Sequence, residues 1–213
     1  MKIGLINENS QADKNKMIYD CLVETAGSMG HEVLNFGMYT KEDENQLTYV
    51  QNGILAAVLL NAGVVDYVVT GCGTGEGAML ALNSFPGVLC GHVADPSDAY
   101  MFAQINDGNA VAMPFAKGFG WGAELNLKYT FEQLFKTEGG QGYPKERAVP
   151  EQRNKKILDG VKEVTYNKLT DILLKLDSEL AAGALSTEGF DKYFWDNCKD
   201  DEIKTAVKNI LGR

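Results

Sequence analysis

Apolar residues along the first two thirds of the chain alternate between short unbroken runs and longer stretches of helical spacing. The run at residues 66–70 contains Tyr67, Val68 and Val69 without polar alternation, which is typical of a parallel strand covered on both faces. Similar runs predict four more strands, at residues 2–6, 31–35, 88–92 and 110–113. Strands that alternate with helices in this way predict an α/β fold, a Rossmann-like three-layer α/β/α sandwich with a five-stranded parallel sheet.

Capping signals mark the helices between these strands. Asp95 followed by Pro96 is typical of an N-cap with proline at the first helical position. Gly30 and Gly63 stand where left-handed caps end the first two helices. The predicted helices begin near Ser10, Leu47, Ala78, Pro96 and Gly118.

The last third of the chain has a different pattern. Residues 138–150 are rich in glycine and proline and predict a boundary loop between an α/β domain, residues 1–137, and a helical C-terminal extension, residues 151–213. So short an extension buries too little surface to be stable alone, so we expect it to pack on the sandwich or on a second subunit. One apolar stripe is predicted to run through Ile157, Val161, Val164, Leu169, Ile172, Leu173, Leu176 and Leu180.

Charge and composition exclude several kinds of partner. The net charge of −9 argues against nucleic acid and anionic membrane surfaces, which recruit basic patches. The chain runs from Met1 directly into a predicted strand, so we expect no signal peptide and a cytoplasmic protein. Four cysteines without paired spacing and two histidines make a structural zinc or a disulfide framework improbable.

The candidate chemistry lies in a glycine loop, residues 71–77, which follows the third predicted strand. Its glycines let the backbone turn sharply and present free N–H groups at the start of a helix, an arrangement that suits an anion. A phosphate-binding P-loop would need a lysine, and none lies between Lys41 and Lys117. A dinucleotide fingerprint needs its third glycine where Glu76 or Met79 stands, and a turn that only packs a helix needs fewer glycines. The loop glycines are Gly71, Gly73, Gly75 and Gly77.

Ligands of such sheets bind beyond the carboxyl ends of the strands. The glycine loop, the loop after the first strand and the loop after His92 should therefore meet at one edge. We expect the turn at Asn106 to lie on or near the same edge, reaching over from a helix end.

All three arginines lie after the predicted sheet. If the substrate carries a phosphate, Arg147 and Arg153 are the residues that would bind it in a bidentate way. Their segment would fold back onto the site or reach into a neighbouring subunit. The alternative is that both are ordinary surface residues at the start of a helix. The sequence leaves the two interpretations open.

Three segments carry a family resemblance. Cys72-Gly-Thr-Gly-Glu-Gly77, Ala81-Leu-Asn-Ser-Phe-Pro-Gly87 and Gln104-Ile-Asn-Asp-Gly-Asn109 resemble the signature segments of the type B ribose 5-phosphate isomerase and galactose 6-phosphate isomerase family. The similarity spans about residues 1–137. The helical extension is longer than in the short members of that family.

The resemblance implies an oligomeric aldose–ketose isomerase, a homodimer or homotetramer that needs neither metal nor cofactor. It would act on a pentose 5-phosphate or hexose 6-phosphate through a cis-enediolate, with Cys72 moving a proton between C1 and C2. A thiol at a helix N-terminus is expected to have a lowered pKa, which suits this role. Glu76 is a rival or auxiliary base, and Glu8 would bind a substrate hydroxyl. The implied anion hole consists of Gly73, Thr74, Gly75, Gly77 and Asn106.

Departures from the family pattern keep other functions open. Glu8-Asn9 stands where the family has Asp-His at the substrate, Ile105 replaces the histidine that opens the sugar ring, and Leu89 replaces an arginine. His92 would take over ring opening or be structural. An isomerase of an unphosphorylated sugar, or a catalytically silent sugar-phosphate binding protein, is the alternative.

Overall fold

The computed structural model describes all 213 residues and contains one parallel five-stranded sheet in the order β2-β1-β3-β5-β4. Each strand lies within two residues of its predicted position, and the predicted fold class is confirmed. The tight pairing of β3 with β5 runs from Val68 opposite Ala110 to Cys72 opposite Pro114. The strands are β1 (Lys2–Leu5), β2 (Glu32–Asn35), β3 (Tyr67–Cys72), β4 (Cys90–His92) and β5 (Ala110–Pro114).

The chain contains ten α-helices. They are α1 (Asn15–Ser28), α2 (Tyr49–Asn61), α3 (Glu76–Leu82), α4 (Pro96–Met101), α5 (Ala123–Phe135), α6 (Ala148–Thr165), α7 (Leu169–Leu173), α8 (Ser178–Ala184), α9 (Glu188–Asn197) and α10 (Asp201–Leu211). Two 3₁₀ segments (Asn9–Lys14 and Lys145–Arg147) and a π-helical turn (Phe102–Asn106) complete the set. None of these helices combines the length and apolar character needed to cross a bilayer.

The first helix differs from its predicted start near Ser10. Gln11 has φ −123° and ψ 15°, which breaks the helical path, so a 3₁₀ segment precedes α1. The Glu8 side chain caps that segment by accepting the Ser10 N–H at 2.9 Å. The capping prediction is right at Asp95, whose carboxylate accepts the N–H groups of Ser97 and Asp98 at the start of α4.

Two apolar layers enclose the sheet. One lies between the sheet and helices α1 and α5, and contains Leu22 and Phe131. The other lies under α2 and α3 and contains Leu55 and Leu82. These residues are at most 1% exposed, so burial of the two sheet faces accounts for the layered arrangement.

The C-terminal extension packs on the second apolar layer. Phe194 and Val207 are fully buried in the same cluster as α2. The predicted single stripe is wrong, because turns after α6 and α7 break it into separate helices. Leu169 is buried, whereas Ile157 and Val164 on α6 are 60% and 84% exposed, and α6 begins inside the predicted boundary loop.

Candidate active site

Cys72 is the last residue of β3 and stands at the carboxyl edge of the sheet. It is 8% exposed, and its Sγ accepts the Gly75 N–H at 3.2 Å. The chain folds back over the thiol because Gly75 adopts φ +82°, which favours glycine. The thiol thus lies beneath the loop, and the Gly75 amide points at it.

Two backbone N–H groups beside Cys72 have no acceptor in the chain. They belong to Gly73 and Thr74, which are half-buried and exposed respectively. Backbone donors fixed at this position can stabilise negative charge on a bound oxygen without reorganising. The loop therefore offers two free donors next to the Cys72 sulfur, as the predicted anion hole requires.

Gly73 and Gly75 are glycines for different reasons. A Cβ at Gly75 would lie 2.8 Å from the His92 ring, so packing within the protein requires the glycine. A Cβ at Gly73 would meet only Ala116 at 3.7 Å and Gln11 Nε2 at 3.9 Å, which are ordinary contacts. Nothing in the chain fills the space beside Gly73, so that space is open to a ligand.

His92 holds the glycine loop from the end of β4. Its Nε2 donates to the Thr74 carbonyl at 2.9 Å and lies 3.8 Å from Glu76 Oε1. Because a carbonyl oxygen only accepts, Nε2 carries the proton in this arrangement. The contacts fit a residue that positions Thr74 and Gly75, and a role in ring opening stays a prediction.

Glu76 and Glu8 differ in environment. Glu76 begins α3, and its side chain is 59% exposed. Glu8 follows β1, is 3% exposed, and accepts the Ser10 hydroxyl at 2.6 Å. Asn9 beside it is half-buried, and its N–H donates to the Leu47 carbonyl at 2.7 Å. The loops after β1 and β3 flank the switch point of the sheet, where ligands of such folds bind.

A chain of polar side chains missed by the sequence analysis crosses this edge. Gln11 is 8% exposed and donates through Nε2 to the Ser10 hydroxyl at 3.0 Å, and Lys14 Nζ donates to Gln11 Oε1 at 2.6 Å. Lys14 also donates to the Phe115 carbonyl just after β5. The sequence signal for it is a polar run directly after a strand, a pattern that equally predicts the start of a helix.

Tyr49 is a second contact that the sequence analysis did not identify. Its ring would lie 3.2 Å from a Cβ at Gly77, so it packs against the start of α3. The side chain is 46% exposed. It belongs to the first turn of α2, and periodicity alone gives no reason to bring that turn to the glycine loop.

Asn106 lies at the other edge of the sheet, so the expectation of one common edge is wrong for it. It precedes the amino end of β5, and nearby Asn109 Oδ1 accepts the Leu89 N–H at 2.8 Å just before β4. Arg147 and Arg153 are exposed on and beside α6, which packs against the same π-helical turn. Within one chain these three residues do not meet Cys72.

Two of the other cysteines, Cys90 and Cys21, are in surroundings that disfavour the thiolate. Burial raises the pKa of Cys90 to about 12 and also raises the pKa of Cys21. All four cysteines are free, and the chain contains no group of three or more His, Cys, Asp or Glu side chains arranged to hold a metal ion. Cys72 is the cysteine that adjoins open space and unpaired amide donors.

Two family models match the chain. One, described as ribose/galactose isomerase, covers residues 3–141, and another, described as ribose-5-phosphate isomerase, covers residues 164–210. None of the curated proteins compared with the chain matches it.

Solved structures give the same assignment. A crystal structure of a 4-deoxy-L-threo-5-hexosulose-uronate ketol-isomerase complexed with a tartrate is 58% identical, with TM-score 0.98 and 100% of both chains covered. A ribose-5-phosphate isomerase from Vibrio parahaemolyticus is 47% identical, with TM-score 0.96 and 99% of both chains covered. Ribose-5-phosphate isomerase B from Clostridium thermocellum shares the fold at 23% identity, with TM-score 0.62 over 78% of this chain and 100% of its own. The chain belongs to the ribose/galactose isomerase family and is an aldose–ketose isomerase.

Proposed function

We propose that the substrate is an unphosphorylated acidic sugar of the 4-deoxy-L-threo-5-hexosulose-uronate type. The observation that carries this proposal is the position of the cations. No arginine adjoins Cys72, whereas Lys14 reaches the edge of the site. The relative that is 58% identical over its whole length acts on this uronate and binds tartrate, a dicarboxylate.

The chemistry of that sugar also fits the missing histidine. A 4-deoxy-5-hexosulose has no hydroxyl on C4 or C5, so it cannot close a furanose or pyranose ring onto its C1 aldehyde. An enzyme for this substrate needs no group that opens such a ring. Ile105 in place of the family's ring-opening histidine is then no loss.

Cys72 is the proposed base. Its thiolate takes the proton from C2, the C–H electron pair forms the C1=C2 bond, and negative charge moves onto O1. The N–H groups of Gly73 and Thr74 stabilise that charge, and the O2 proton then passes to O1. The electron pair left on O2 forms the C2 carbonyl, the C1=C2 pair takes the proton back from the thiol at C1, and the thiolate is regenerated. A placed base is typically worth about 10² to 10⁴ in rate, and each oxyanion donor about 10² to 10³.

The remaining residues have supporting roles in this proposal. Glu8 and Asn9 bind substrate hydroxyls, and His92 keeps the glycine loop closed over the thiol through its bond to Thr74. Glu76 is the alternative base, and its exposed side chain is free to turn toward the loop.

A sugar phosphate is the second candidate. It is favoured by the 47% identity to a ribose-5-phosphate isomerase. Its phosphate would need arginines from a second copy of the chain, because Arg147 and Arg153 lie away from Cys72 in one copy. The same pairing would bring Asn106 to a neighbouring anion hole.

A face of α6 supports such an oligomer. Val149, Arg153, Ile157 and Val161 follow one another at intervals of four residues, and the three apolar members are 81%, 60% and 48% exposed. An 18-residue helix without a buried residue and with an apolar stripe is typical of an interface. We propose that this face packs on another copy in a homodimer or homotetramer. Sedimentation should show the assembly, and Ile157→Glu should shift it toward monomers.

Proton exchange in heavy water tests the reaction and the substrate together. The protein is incubated with the uronate and, separately, with ribose 5-phosphate and galactose 6-phosphate, and the C2 proton is followed by NMR. Exchange with the uronate alone supports the first candidate, and exchange with a phosphate alone supports the second. Cys72→Ala should abolish exchange, whereas the matched control Cys198→Ala, in the extension, should keep it. Exchange retained in Cys72→Ala and lost in Glu76→Gln would make Glu76 the base.

A further inference from the structure

Lys14 is a cation at the site that lacks an anionic partner. Its Nζ donates to two neutral oxygens, Gln11 Oε1 and the Phe115 carbonyl, and lies 4.8 Å from the centre of the Phe119 ring. An ammonium group has three N–H donors, so one is left over. By contrast, Lys41 on a nearby loop pairs with Asp13 at 3.0 Å.

The position of Lys14 follows from two strand ends. The Phe115 N–H donates to the Cys72 carbonyl at 2.9 Å, and the Phe115 carbonyl accepts from Lys14. A single residue therefore connects the thiol-bearing strand to the ammonium group. On the other side, Gln11 holds Lys14 through Oε1 while its Nε2 lies 3.9 Å from the Cβ position at Gly73. The cation thus lies one side chain, Gln11, away from the open space beside Gly73.

Because Lys14 is partly buried, its lack of an anionic partner is significant. Lys14 is half-buried in a protein with a net charge of −9, yet its contacts are with neutral groups. A partly desolvated ammonium group gains most from a charged acceptor that arrives with the ligand, since charge-assisted hydrogen bonds are the strong ones. Glu8, the buried carboxylate on this edge, is occupied by Ser10 and separated from Lys14 by Gln11.

We propose that Lys14 binds the carboxylate of an acidic sugar and so determines that the enzyme takes a uronate, with Gln11 as the residue that positions it. The inference rests on the proposed function, because it assigns the carboxylate of that substrate to a named cation. Bound in this way, the sugar would place its carbonyl end at the Gly73 and Thr74 amides and its acidic end toward Phe115.

Tartrate binding gives a test that does not need turnover. Titration calorimetry compares the wild type with Lys14→Met, which keeps the length of the side chain and removes its charge. Loss of one charge-assisted contact should weaken tartrate binding about 10- to 100-fold. The matched control Lys16→Met removes an exposed charge paired with Asp20 at 2.7 Å and should leave the affinity unchanged. Equal affinity in the wild type and Lys14→Met would overturn the inference.

Kinetics separate binding from a purely structural role. Lys14→Met should raise KM for the uronate by a similar factor, and should abolish the preference for the uronate over the same sugar with a C6 alcohol. A Lys14 that only ties Phe115 to the 3₁₀ segment would leave that preference intact. Gln11→Glu is a second variant that gives Lys14 a permanent carboxylate partner, and it should weaken tartrate binding without removing the cation.

The outcomes distinguish the two proposals. Wild-type turnover of the uronate with an unchanged KM in Lys14→Met would overturn the role of Lys14 and keep the proposed function. A wild type that turns over ribose 5-phosphate and not the uronate would overturn the proposed function, and the tartrate titration would then decide alone whether Lys14 binds carboxylates.

Discussion

Adding one methyl group at Gly73 tests the anion hole with little disturbance of the fold. Gly73→Ala would place Cβ 3.7 Å from the Ala116 methyl and 3.9 Å from Gln11 Nε2, which are ordinary van der Waals distances. The φ of Gly73 lies outside the left-handed region, so alanine is compatible with the backbone. The methyl group would instead enter the open space next to Cys72.

The expected effects on stability and activity are opposite. A compatible Gly→Ala change restricts the unfolded chain and stabilises by about 0.4–1 kcal/mol. For a chain of this size, each kcal/mol raises Tm by about 2–4 °C, so the variant should melt slightly above the wild type. If the methyl group displaces the oxyanion from the Gly73 and Thr74 amides, kcat should fall about 10²- to 10³-fold, the cost of an oxyanion donor.

Calorimetric melting and steady-state kinetics on the same preparation measure both effects. Gly27→Ala is the matched control, because Gly27 is exposed in α1 and its Cβ would approach only Val23, at 4.0 Å. It should gain similar stability and keep full activity. A Gly73→Ala enzyme with wild-type kcat would refute the assignment of this space to the reacting oxygen. A lower Tm would show that the space is needed by the protein itself.

Three further changes test other parts of the molecule. Cys72→Ser should keep the fold and lose about 10²- to 10⁴-fold in kcat, because the hydroxyl is a far weaker base than a thiolate at neutral pH; unchanged turnover would point to another base. Asp95→Ala should cost about 1 kcal/mol in urea denaturation at pH 7 by removing the cap of α4. The Asp98 N–H and the Ser97 hydroxyl lower the pKa of Asp95 below its usual 3.8, so the ionised cap stabilises the protein fully above that pH. The difference in unfolding free energy between wild type and Asp95→Ala should therefore shrink as the pH falls through the folded-state pKa. Phe194→Ala should cost about 3–5 kcal/mol, because Phe194 is fully buried and stacked on Phe190 with ring centres 4.4 Å apart. Since Phe194 and α2 share one apolar cluster, the wild type should unfold in a single transition, and two separate transitions would contradict this.

The sequence predicts the sheet well because local patterns determine it. Apolar runs mark the five strands, and the Asp95–Pro96 signal marks the start of α4 correctly. Sequence patterns do not predict burial where tertiary contacts determine it. The period of the stripe from Ile157 to Leu180 continues through the turns, and only packing on α2 shows which of its residues are buried.

The candidate site was predictable only in part, for a related reason. Cys72 and the loop after it could be identified from residue type and position in a single segment. Lys14 could not, because its role depends on the Phe115 carbonyl, a residue 101 positions away. The turn at Asn106 does not reach over to the edge of Cys72 as expected, because it precedes β5 and the direction of that strand keeps it at the opposite edge.

The proposed change of substrate would account for Ile105, Leu89 and the remote arginines together. If the enzyme kept a cyclic sugar phosphate, it would need a new ring-opening acid and a new phosphate site. His92 is the nearest candidate for the first, but its Nε2–H is committed to Thr74 at 2.9 Å, and releasing it would loosen the loop that covers Cys72. Under the proposed function, a uronate whose aldehyde cannot cyclise removes the need for that acid and replaces the phosphate by a carboxylate, which the single charge of Lys14 would bind. The enediolate chemistry proposed for Cys72, Gly73 and Thr74 is the same for both substrates, so these residues would stay while the groups around them change.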